Sequence, residues 1–129
     1  HNDGYLSPPL PWLNIQNAVT RRSASGTAHG PEQSLTLDEA LQAHTINAAW
    51  QQKRDHEIGS IAVGKLADLA LLNTDPYTVD PAQLQDTMQF EGTWLSGRRV
   101  DLGRFMQSVK AIAHRHDGAL IRGAQPHQC

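Results

Sequence analysis

The chain has 129 residues, 39% of them apolar and 19% charged, which suffices for one domain with a modest core. Eleven basic against thirteen acidic residues leave a formal charge of −2, which removes the electrostatic case for nucleic acid or an anionic membrane. No apolar run approaches the ~20 residues that cross a bilayer, and the single cysteine, Cys129, excludes a disulfide scaffold and a cysteine-rich zinc site. The sequence opens on His1 without a signal-peptide pattern. The expectation is a fragment or processed product that resides in the cytoplasm.

Residues 1–10 read as a strand end running into a loop, because Pro8 and Pro9, with Pro11 behind them, block regular structure. Trp12, Leu13, Ile15, Ala18 and Val19 have helical spacing, with Pro11 in the first turn and Arg21–Arg22 suited to the helix C-terminus. Residues 23–34 are small, polar and interrupted by Gly and Pro, the composition of a loop. Thr36 and Glu39 form a capping box. Leu37, Leu41, His44 and Ala48, with Ala40 beside them, then share one face of a helix expected to end near Trp50.

After Gly59 the period changes. Ile61 and Val63 alternate, Gly64–Lys65 mark a turn, and Leu66 to Leu72 reads as a buried strand interrupted only by Asp68. Asp75–Pro76 is a turn, and Asp80–Pro81 opens a short helical turn to about Gln85. Met88, Phe90 and Trp94 alternate with polar residues as in a half-buried strand, and Ser96–Gly97 makes a hairpin turn into 98–101. Phe105, Val109 and Ile112 give a last helix, followed by a frayed tail over 117–129.

Few residues suggest chemistry. Asp3 stands at a strand end before a Pro-rich loop and a helix, where α/β barrels place catalytic groups; the plain alternative is a turn or N-cap aspartate. His114, His116 and Asp117 have a spacing used for metals, yet on a helix end the two histidines diverge by about 200°. Charge at a helix C-terminus is the plain alternative there. His44 reads as a packed, hydrogen-bonded histidine, and Trp12, Trp50 and Trp94 as core anchors.

Three segments in colinear order resemble metal-dependent amidohydrolases, most closely the YtcJ-like amidohydrolase family 3 group that includes N-substituted formamide deformylases. The first is His1-Asn2-Asp3 with Ser7-Pro8-Pro9 and Ala18-Val19-Thr20-Arg21. The second is Leu35–Leu41 with Thr45–Ala49. The third is Gly59-Ser60-Ile61 followed by Gly64-Lys65-Leu66-Ala67-Asp68-Leu69 and Asp75-Pro76, with Ser96–Val100 resembling a closing hairpin.

The resemblance implies an α/β fold: residues 1–57 as the end of a (β/α)8 TIM barrel, 58–101 as part of a small β-sandwich, and 102–129 as a terminal helix and tail. It implies a divalent metal, zinc by preference, whose other ligands lie upstream. It also implies that Asp3 is both metal ligand and general base, the loop after it lines the substrate pocket, and Tyr5 touches substrate. Asp68 is expected to bind backbone N–H groups and Asn47 to tie down a loop.

A barrel of this kind takes ~250 residues. The chain alone is therefore expected to be inactive towards an amide substrate and to leave the face of Trp12, Ile15 and Val19 exposed. Its expected companion is the missing N-terminal barrel segment or a second copy. The competing readings are a stand-alone, non-catalytic association module and a metal-binding tail built on His114 and His116.

Overall fold

The computed structural model describes residues 10–101 together with 103, 104 and 107. Contacts along the chain divide it into two compact units, one ending at Arg98 and one starting at Arg99.

Helix α1 spans Pro11–Thr20 and starts as expected, with proline in its first turn after the extended Leu10. It ends at Arg21, which donates its N–H to the Asn17 carbonyl at 2.9 Å and has a left-handed backbone (φ 53°, ψ 30°) that turns the chain out of the helix. The Arg21 side chain serves the following loop: Nε donates to the His29 carbonyl at 3.1 Å and Nη2 to Gln33 Oε1 at 3.3 Å. That loop holds a bridge between Arg22 and Ala28 and a 3-10 turn at Pro31–Gln33.

The capping box forms as read. Thr36 Oγ1 accepts the Glu39 N–H at 3.2 Å, and Glu39 Oε2 accepts the Thr36 N–H at 2.8 Å. The helix it opens is not continuous. Helix α2 covers Leu37–His44 and helix α3 Ile46–Gln51, with Thr45 non-helical between them (φ −124°, ψ −95°). The break accommodates Gly59, where a Cβ would stand 2.7 Å from Ala49 Cβ, 3.0 Å from Ile46 Cα and 3.2 Å from the Thr45 carbonyl oxygen. Gly59 also has φ +87°, so both the space and the backbone there require glycine. The break resets the helix face. Ala49 becomes buried, whereas Trp50 is 69% exposed and is no core anchor. His44 is exposed too, its Nδ1 2.9 Å from the Ala40 carbonyl oxygen. Asn47 lies exposed on α3 and makes no side-chain hydrogen bond among the described residues.

Strand β1 is Leu69–Leu72, shorter than read and not buried: Leu69 and Leu71 are both exposed, as are Ile61, Val63 and Leu66 before it. Strand β2 is Phe90–Leu95 and β3 is Arg98–Arg99, giving a three-stranded sheet in the order β1-β2-β3. Strand β1 runs antiparallel to β2, from Leu69 opposite Trp94 to Leu72 opposite Phe90, with an irregularity between Leu71 and Leu72. An edge strand in so small a sheet has a neighbour on one side only. The hairpin turn is as expected, with Ser96 and Gly97 both at positive φ (50° and 77°), the type I′ requirement. Asp68 Oδ1 accepts the Ser96 N–H at 2.7 Å, the backbone role expected of it. Trp94 is half-buried.

Between β1 and β2 come 3-10 turns at Pro76–Thr78 and Pro81–Gln83, capped by Asp75 and Asp80, and then helix α4, Leu84–Thr87. Leu84 has no exposed surface, and with Met88, Trp12, Ile15 and Ala40 it forms the core. Leu37, Leu41, Val19 and Leu72 pack around it, and the Trp12 ring stacks on Phe90 at 6.0 Å. The face of α1 expected to lie bare is thus covered, with Trp12 6% and Ile15 3% exposed, because α4 and Met88 fold back over it. The result is a mixed α and β arrangement with a small antiparallel sheet. No helix among the described residues is long and apolar enough to cross a membrane.

Candidate functional site

A groove of about 470 Å³ opens beside the break between α2 and α3. It is lined by His44, Thr45 and Gln52 from the helices and by Ile61, Asp68 and Leu69 from the segment that leads into β1. Both titratable side chains here are committed to the backbone, His44 to the Ala40 carbonyl and Asp68 to the Ser96 N–H. The groove therefore presents a mixed, open surface rather than a matched acid and base.

Two other titratable groups are shifted by local bonds. The Glu39 carboxyl is held below its ordinary range, first by the Thr36 N–H and then by the Thr36 hydroxyl. The Tyr77 phenol is pushed above its ordinary range by donating to Asp38 Oδ1 at 2.5 Å, which keeps its proton in the bond. That contact ties the first turn of α2 to the 3-10 turn at Pro76–Thr78, and no sequence pattern announces it because 39 residues separate the partners. Lys65 was likewise legible only as a turn residue. Its ammonium binds the Asp55 and Ile58 carbonyls and Ser60 Oγ.

Asp3, Tyr5, His114 and His116 lie outside the described residues, as do the strand end before α1 and the helix face of Phe105, Val109 and Ile112. His29 and His56 are exposed, and His56 Nε2 stands 3.6 Å from Glu57 Oε1. A catalytic zinc usually takes three protein ligands. Among the described residues no three His, Cys, Asp or Glu side chains come together in that way, so they do not by themselves fit a divalent metal.

Comparison with known proteins supplies what the groove does not. The amidohydrolase family model matches residues 1–101. The chain is 32% identical over 102 residues to the putative amidohydrolase YtcJ of Bacillus subtilis, covering 77% of this chain and 19% of that protein. It is 38% identical over 98 residues to the N-substituted formamide deformylase of Arthrobacter pascens, covering 75% of this chain and 17% of that one. A stretch of 46 residues is 54% identical to an imidazolonepropionase of a Geobacillus strain, covering 36% of this chain and 11% of that protein. The chain therefore spans less than a fifth of the length of these relatives. No solved structure matches it. The family match covers most of the sequence in one stretch and takes in α1 to β3. The chain belongs to the amidohydrolase family.

Proposed function

We propose that this chain is the C-terminal part of a metal-dependent hydrolase acting on non-peptide C–N bonds of the amide or formamide type. The observation that carries the reading is the continuous family match over residues 1–101, beside the likeness to a relative named as a deformylase of N-substituted formamides. In this reading residues 1–57 close a (β/α)8 barrel, residues 58–101 contribute to a small β-sandwich, and residues 102–129 are an appended helix and tail. Asp3 is the one metal ligand and the general base contributed by this chain, and Tyr5 contacts substrate. The metal is zinc, with its remaining ligands on the upstream barrel segment.

The test is a hybrid in which residues 1–101 replace the matching segment of the Arthrobacter pascens deformylase. The hybrid should bind zinc and release formate from an N-substituted formamide, and the isolated chain with zinc should not. Asp3→Asn in the hybrid should lower kcat by about 10²–10⁴-fold, the usual contribution of a positioned acid–base group. Hydrolysis by the isolated chain would overturn the division between the two segments. A zinc-loaded Asp3→Asn hybrid with full activity would remove Asp3 from the site.

A second reading is favoured by the exposure of Ile61, Val63 and Leu71. It makes the chain a non-catalytic association module that joins a second copy through these residues.

A further inference from the structure

The segment joining α3 to β1 has little apolar burial to hold it. Ile61 is 91% exposed, Val63 108% and Leu66 43%. It is nevertheless folded back on itself, with the Leu66 N–H on the Glu57 carbonyl at 2.8 Å and the Ile58 N–H on the Arg54 carbonyl at 3.0 Å. The ammonium of Lys65 sits inside this turn. It donates to the Asp55 carbonyl, to the Ile58 carbonyl at 3.3 Å and to Ser60 Oγ at 2.7 Å. A lysine has three N–H donors, so its capacity is filled by three neutral oxygens. Hydrogen bonds from a charged donor are roughly twice as strong as neutral ones. Carbonyl oxygens gathered round one positive charge are also the ligand set with which proteins replace the hydration shell of a monovalent cation.

We propose that the turn from Asp55 to Leu66 is a monovalent-cation site that the chain fills with its own Lys65 ammonium. The captive charge, rather than apolar packing, keeps the turn closed and so seats Gly59 in the break between α2 and α3. The inference stands apart from the hydrolase reading, since it uses only residues 54–66 and their seat. An emptied cage should accept a small primary ammonium ion, which offers the same charge and the same three donors.

The experiment is amide hydrogen exchange on the full chain. Lys65→Met keeps the stem and removes the charge. It should speed exchange at the Leu66 and Ile58 amides by about tenfold or more, the weight of lost charge-assisted bonds. The Met88 amide, bonded to the Leu84 carbonyl in the core, should be unaffected. In Lys65→Ala, ethylammonium should restore protection at Leu66. Tetramethylammonium at the same concentration, with no N–H to donate, should not. Unchanged exchange at Leu66 in Lys65→Met, or equal effects of the two salts on Lys65→Ala, would overturn the proposal. Should Lys65→Met also expose the Met88 amide by unfolding the chain, Ser60→Ala decides. Removing that one acceptor should give a smaller loss of protection confined to the turn, and no loss there would overturn the proposal as well.

Discussion

Leu84 and Ile61 are both aliphatic side chains that a hydropathy pattern treats alike, yet one has no exposed surface and the other is 91% exposed. Leu84 sits where α1, α2 and α4 converge, against Trp12, Ile15 and Ala40. Truncating it leaves a void that a small core has few other side chains to fill. Leu84→Ala should destabilise the chain by about 2–5 kcal/mol, and Ile61→Ala should stay within about 0.5 kcal/mol. Urea midpoints of the two variants against the parent chain measure this, and equal midpoints would mean that the core lies elsewhere. The same contrast governs the tryptophans. Trp12 is enclosed by α4 and stacks on Phe90, while Trp50 projects from α3. Composition and spacing name the residues able to anchor a core, and which of them does so depends on what arrives opposite.

At the scale of the element, the strongest local signals held because both partners lie within one turn. The Thr36–Glu39 box, the proline opening α1, the Asp75–Pro76 turn, the Asp80 cap and the Ser96–Gly97 turn each involve residues at most three apart. The box also has a pH signature. Glu39 has its carboxyl held below the ordinary range, so its contribution is complete above its unfolded pKa and is lost as pH falls through the lowered folded value. Glu39→Gln should therefore weaken amide protection in α2 at neutral pH. Its difference from the parent chain should vanish once the pH is well below about 4. A difference that persists in acid would show that the carboxylate charge is not what matters. The break at Thr45 had no such local marker. It exists because Gly59, fourteen residues on, packs against Ala49 and Ile46, and helix spacing alone runs straight through it.

At the scale of the whole molecule, family membership and sheet exposure bear on the same question. Under either proposed reading, Leu69 and Leu71, uncovered on an edge strand, are covered by a companion chain. Native and denatured masses of the purified protein test this. A 14.2 kDa chain that accompanies a larger one supports the hydrolase reading, and copies of 14.2 kDa alone support the association module. The sequence by itself determined the family, the helix caps, the hairpin turn and the backbone role of Asp68, because each is written in residues close together or in a long colinear match. Only the tertiary structure decided that α1 is covered by α4, that the second helix is broken, that β1 lies open and that Lys65 is caged. These depend on which distant segments meet, and burial is a property of that meeting rather than of any residue's own preference.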